Sequence, residues 1–182
     1  MYRLELDETG EPAGEPQLFQ SSSRADYLWN CSPDGKKVVF SSNRNGPMEL
    51  FVCDWDGSNL MRLIPRDALL PATGSTYGVE MWRARWSPDG RWIAFAAMVE
   101  GQFGIYRVRP EGGMPQRLAE GGDPTWSPDG KWVYFSSTRE GKLALLKVPA
   151  EGGQIEEAEG RELGQSPDGE WRYLTNAQGT SV

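Results

Sequence analysis

The sequence contains no histidine among its 182 residues. The commonest general base and the commonest transition-metal ligand are both missing, which excludes histidine-dependent catalysis and histidine-built metal centres. Cysteine is nearly absent too, with Cys31 and Cys53 the two thiols. If they lie in the first and third strands of a four-stranded unit, one strand separates them, and two strand spacings of about 9–10 Å exceed disulfide reach. Both read as small buried hydrophobes, so cysteine usage leaves the compartment, periplasm or cytoplasm, open. No apolar run approaches the roughly 18 residues of a membrane span. Residues 1–10 have neither the basic nor the apolar region of an export signal, so a soluble chain without membrane insertion is expected. Nor is there a Lys/Arg cluster: 19 basic against 26 acidic residues give a net charge of −7. A nucleic acid, whose phosphates demand a basic surface, is not an expected partner.

Against these absences stands a repeat. Ser-Pro-Asp-Gly occurs four times, at residues 32–35, 87–90, 127–130 and 166–169. Proline presets φ for a turn, Asp bonds the backbone amides ahead of it, and Gly frees the chain to re-enter a strand, so each copy reads as a hairpin tip. The copies stand 55, 40 and 39 residues apart. Strand-like runs surround them: 26–30, 36–42, 49–55 and 60–64; then 81–86, 91–98, 103–109 and 116–119; then 124–126, 131–137, 143–149 and 155–158. Gly marks every turn between them, joined by Asn, Asp or Pro throughout the first unit, so each unit is expected to be a four-stranded antiparallel meander. After each motif Gly, the fifth residue is Phe40, Phe95, Phe135 or Leu174 and the third is Val38, Ile93, Val133 or Arg172. With Lys37, Trp92, Trp132 or Trp171 at the second position, both faces of this strand are apolar in most units, as expected when sheet stacks on sheet.

A period near 40 with four strands per period points to an all-β fold, a β-propeller. One domain over residues 1–182 is expected, with complete blades at 21–64, 81–119 and 120–159 and an insertion at 65–80. Residues 1–20 and 160–176 supply the last two and first two strands of a blade shared by the N- and C-termini. The insertion explains the longer first spacing.

The run Ser-Pro-Asp-Gly-(Lys/Arg)-Trp-(Ile/Val)-x-Phe, followed by Ser-Ser-Asn-Arg or Ser-Ser-Thr-Arg and by Ile-Tyr-x-Val-x-x-Glu-Gly-Gly, resembles the TolB-type, WD-like propeller repeat. The stretches at 53–59 and 148–153 are similar to propellers appended to bacterial winged-helix regulators and serine/threonine kinases, although neither a winged-helix nor a kinase motif is present. The resemblance implies ring closure through the termini. Because such propellers usually have six to eight blades, three outcomes follow: a closed four-bladed monomer, a homodimer exchanging terminal strands to make an eight-bladed ring, or a segment of a longer propeller. Oligogalacturonate lyase propellers have a similar repeat, but their chemistry uses histidines.

Candidate site residues fall into three groups. Asp34, Asp89, Asp129 and Asp168 recur at one place in successive blades, so they spread around a rim and read as turn residues rather than converging metal ligands or paired acids. Trp86 and Trp126, just before the motif, read as inter-blade core, with a ligand pocket as the alternative. Arg44 and Arg139 suit an anionic ligand, or equally a turn carbonyl or nearby carboxylate. The insertion is the least repeat-like segment, and loops on rigid scaffolds concentrate binding residues. Thr73, Ser75, Tyr77, Met81 and Trp82 are therefore the expected partner contacts, a purely structural loop being the alternative.

No Gly-x-Ser-x-Gly nucleophile elbow exists, since residues 164–168 lack the final glycine. No catalytic residue, metal ligand or cofactor is expected. The reading is a non-enzymatic propeller scaffold that binds a protein or peptide. The alternative is a small-molecule or glycan-sensing domain of a bacterial regulator or enzyme, and the third is a glycan-active enzyme using carboxylates only.

Overall fold

The computed structural model describes residues 2–5, 7–19, 24–65, 67–69, 79–165 and 172–175. The fold is all-β, with no helix among the described residues. Strands β1 (Tyr2–Arg3) and β2 (Gln17–Leu18) form a two-stranded sheet. The first four-stranded antiparallel blade holds β3 (Asp26–Cys31), β4 (Lys37–Ser42), β5 (Glu49–Asp54) and β6 (Met61–Arg62). The second holds β7 (Glu80–Trp86), β8 (Ile93–Val99), β9 (Gln102–Val108) and β10 (Gln116–Glu120). The third holds β11 (Gly122–Trp126), β12 (Trp132–Arg139), β13 (Lys142–Pro149) and β14 (Glu156–Glu157). A last pair, β15 (Arg161–Gln165) and β16 (Arg172–Thr175), forms its own two-stranded sheet. No ladder joins β1–β2 to β15–β16 among the described residues. The fourth Ser-Pro-Asp-Gly copy, with Asp168, lies outside them.

The blades stack through their strand alternation. In β8, Ile93, Phe95 and Ala97 point into a core shared with Val39, Leu50 and Val52 of the first blade. The intervening Ala94 and Ala96 point into a second core, against Trp126, Val133 and Phe135 of the third. A period of two thus gives one strand two buried faces, the bulky face against one neighbour and the small face against the other. Phe40, Phe95 and Phe135 are each 0% exposed. The outer strand β6 is shorter than the expected 60–64; beyond it Leu63 N still donates to Leu50 O at 2.9 Å, and the Leu63 and Ile64 side chains plug the inter-blade core.

The motif hairpins lock adjacent blades together along one rim. A Cβ on Gly90 would sit 3.7 Å from Pro33 Cδ, and one on Gly130 would sit 3.7 Å from Pro88 Cδ. Gly90 and Gly130 therefore rest on the preceding blade's motif proline. At the same end Trp126 Nε1 donates to Arg85 O at 2.9 Å, and Trp86 Nε1 donates to Asn30 O at 3.2 Å. Both indoles are more than nine-tenths buried, which places them in inter-blade contacts.

A second feature repeats where the sequence does not. Each first strand carries a bulge against the second strand: between Tyr27 and Asn30, between Trp82 and Arg85, between Gly122 and Thr125, and between Glu162 and Gly164. In the three complete blades a non-glycine residue at the bulge takes left-handed φ: Leu28 at 53°, Arg83 at 56° and Asp123 at 58°. Each stands four residues before its motif serine. Such conformations are uncommon for side chains larger than glycine, and they re-aim the side chain out of the pleat.

Candidate functional site

The three bulges converge on one cavity. β7 packs on β3, and β11 packs on β7, so the first strands line up as the inner strands of successive blades. Beside them, at the end opposite the motif turns, a cavity of about 700 Å³ is lined by Leu28, Arg83 and Asp123 together with the β8–β9 and β12–β13 hairpins. Trp82, Phe103 and Leu143 supply its aromatic and aliphatic wall. The Trp82 and Phe103 rings lie 5.9 Å apart at 40°. Phe103 is 50% exposed and Leu143 67%, a large apolar presentation for hairpin positions.

The polar side is assembled from the inner strands. The Arg83 guanidinium pairs with the Asp123 carboxylate across the boundary between the second and third blades, both side chains being about half exposed. Glu120 also lines the cavity, is exposed, and has no ion-pair partner among the described residues. Gly121, at φ 150°, brings the backbone hard against the second strand, where a Cβ would fall 2.5 Å from Ser136 O. Ser136, Ser137 and Thr138 complete this side.

The residues expected from sequence divide sharply. Trp82 is in the cavity, whereas its neighbour Met81 points the other way and is 2% exposed in the inter-blade core. Strand alternation separates them, so Met81 is packing rather than a contact. Thr73, Ser75 and Tyr77 lie outside the described residues. Arg44 is engaged internally: its Nη2 donates to Asp26 Oδ1 at 3.0 Å, its Nε donates to Ser42 Oγ at 3.0 Å, and its guanidinium lies over Phe40 and Phe51. Arg139 is exposed and follows Thr138 at the cavity edge. Leu28, Arg83, Phe103, Glu120, Asp123 and Leu143 were not legible as a site. The bulge column holds a leucine, an arginine and an aspartate, which share a backbone conformation but no chemistry.

The motif aspartates do local work at the other rim. In the second blade Ser87 Oγ donates to Asp89 Oδ1 at 2.6 Å, Arg91 N donates to the same oxygen at 3.0 Å, and Trp92 N donates to Ser87 Oγ at 2.9 Å. The same three bonds recur at Asp34 and Asp129. The Ser87 hydroxyl, and then the Arg91 amide, hold the Asp89 carboxyl down at about 2. Asp34 and Asp129 are lowered by the equivalent serine and amide donors.

A carboxyl with depressed folded pKa stabilises above its unfolded value near 4, and that stability is lost as pH falls toward 2. Denaturant midpoints should therefore drop between pH 5 and pH 2.5. Asp89, whose side chain is 44% exposed, should contribute on the order of 1 kcal/mol after allowance for solvent screening. Asp89→Asn should remove that share of the slope, and an unchanged slope would contradict the assignment.

A polar groove of about 500 Å³ also runs along this rim, lined by Asp89, Arg91, Asp129, Lys131 and Glu151. Its charges are matched within the protein: Asp89 with Arg91 at 2.6 Å, Asp129 with Lys131 at 3.4 Å, and Glu151 with the buried Arg107 at 2.8 Å. Arg107 also stacks 3.9 Å above the Trp92 ring. This rim is a self-neutralised blade lock. Among the described residues no three His, Cys, Asp or Glu side chains gather as a metal-ligand set.

No protein-family model matches the chain. An uncharacterised protein of Agrobacterium fabrum is 32% identical over 107 residues, covering 59% of this chain and 32% of that protein. A TolB homologue of Chlorobaculum tepidum is 34% identical over 74 residues, covering 40% of this chain and 14% of the relative. The chain thus spans a third or less of the length of these relatives. Among solved structures, a protein assigned as TolB from Agrobacterium tumefaciens superposes with a TM-score of 0.67 at 23% identity, covering 97% of this chain and 63% of that one. TolB from Acinetobacter baumannii gives 0.64 at 21%, covering 96% and 45%. An oligogalacturonate lyase in complex with manganese gives 0.63 at 16%, covering 94% and 50%, so the fold is shared with enzymes. Repeat, blades and likenesses agree: the chain folds as a β-propeller, similar to those of TolB proteins.

Proposed function

We propose that this chain is a non-enzymatic propeller scaffold that binds a protein or peptide segment in the cavity between the inner strands and the β8–β9 and β12–β13 hairpins. The carrying observation is the apolar wall of Trp82, Phe103 and Leu143, two of them half exposed or more, around a cavity of about 700 Å³. Concave apolar surfaces with a few convergent polar groups are where partners seat. The deciding experiment selects a phage-displayed random dodecapeptide library on the folded protein. Recovered peptides should bind Trp82→Ala and Phe103→Ala at least tenfold more weakly, with little change in melting temperature. Peptides indifferent to both variants would place the site elsewhere.

A second reading, a small-molecule or glycan sensor, draws on the tilted Trp82–Phe103 pair, which offers an aromatic platform to a sugar face. A sugar that raised the melting temperature of the wild type but not of Phe103→Ala would favour it. Ring closure by β1–β2 and β15–β16, within one chain or between two, belongs to the same proposal. Light scattering decides between 20.3 kDa and twice that mass.

A further inference from the structure

We infer that the cavity selects an extended peptide presenting a basic residue beside a bulky apolar one. The inference rests on the peptide-binding reading above and names the chemistry that would be read. It starts from the charge inventory of the cavity, which holds three ionisable side chains: Arg83, Glu120 and Asp123. Arg83 and Asp123 are paired with each other. Glu120 is left over, giving the cavity one unmatched carboxylate within a chain whose net charge is already −7.

The placement of these groups matches an extended ligand. Glu120 ends β10 and Asp123 lies at the β11 bulge, so two carboxylates three residues apart flank Gly121 and Gly122. Beside them stand Trp82 and Phe103 of the second blade, Gly121 N donating to Phe103 O at 3.2 Å, and Leu28 of the first adds a further apolar contact. A ligand laid in the cavity meets an aromatic surface and two carboxylates together. An apolar side chain with a neighbouring Lys or Arg satisfies both, because the cation answers Glu120 and competes with Arg83 for Asp123. An acidic neighbour would face Glu120, and the one cation among the lining residues, Arg83, is already paired. Low-dielectric walls sharpen that difference by focusing the field of the unmatched carboxylate.

The backbone at the bulges points the same way. Leu28 and Arg83 hold left-handed φ although glycine would adopt it without strain. Such strain persists where the surroundings over-determine it, often at ligand sites. Both side chains line the cavity.

The test uses the peptides recovered from the dodecapeptide library on the wild-type protein, then a dye-labelled synthetic copy of the enriched sequence. Lys or Arg should be enriched within two positions of a bulky apolar residue. Replacing that basic residue by Glu in the synthetic peptide should weaken binding at least tenfold on the wild type and less than threefold on the Glu120→Gln/Asp123→Asn double variant. Asp123→Asn alone frees Arg83, so the Glu-bearing peptide should bind it more tightly than it binds the wild type. Enrichment of neutral or acidic peptides, or a Lys-to-Glu penalty retained by the double variant, overturns the inference while leaving peptide binding intact. A library yielding no peptide dependent on Trp82 and Phe103 overturns both readings.

Discussion

Gly121→Ala should destabilise the protein by roughly 2–4 kcal/mol, while Gly122→Ala, one residue along, should change stability by less than about 0.5 kcal/mol. At Gly121 the added methyl would lie 2.5 Å from Ser136 O and 2.7 Å from Phe135 Cδ2, both in the adjacent strand, and φ is 150°. Neither neighbour can retreat, since Ser136 belongs to the β12 ladder and Phe135 is fully buried. At Gly122 nothing lies within 4 Å of the added methyl, and φ is not in the left-handed range. Equilibrium denaturation of the two variants side by side checks the close approach between β11 and β12 that shapes one wall of the cavity. Equal effects would mean that this approach is looser than described.

Phe95→Ala and Phe103→Ala should part company just as clearly. Phe95 is 0% exposed, sits in the core between the first two blades, and stacks on Tyr106 with ring centroids 5.5 Å apart. Its truncation leaves a cavity that packed strands on both sides cannot close, and should cost about 3–5 kcal/mol. Phe103 lies on the same blade but is 50% exposed. Its truncation should cost about 1 kcal/mol or less, because little apolar surface is taken from water there in the first place. Peptide binding should follow the opposite order, lost in Phe103→Ala and retained in whatever fraction of Phe95→Ala remains folded. Denaturant midpoints together with a labelled-peptide titration check both halves.

That contrast also explains which parts of the molecule were legible in the sequence. The blades were, because turn chemistry and burial are written in side chains. Ser87, Asp89 and Gly90 close a hairpin with their own groups, and Phe40, Phe95 and Phe135 occupy one buried column. The cavity was not, because backbone writes it. A bulge in each first strand turns Leu28, Arg83 and Asp123 toward a common space, and three unlike residues in a column carry no shared signal.

Arg44 and Arg139 show the same limit. They occupy equivalent turns, yet Arg44 is drawn inward by Asp26, 18 residues away in the chain, at a position where the third blade has Gly121. Arg139 has no such carboxylate and stays at the surface. Met81 and Trp82 were grouped by proximity to the insertion. Strand alternation sends one to the core and the other to the cavity.

Amide hydrogen exchange with and without a selected peptide tests the central claim most directly, since it reports where a ligand rests without altering any residue. The account predicts added protection at 101–103, 120–123 and 136–143, the segments that line the cavity, with the Ser-Pro-Asp-Gly turns unchanged. Protection confined to residues 88–91, 129–131 and 149–151, the polar groove on the opposite rim, would contradict it.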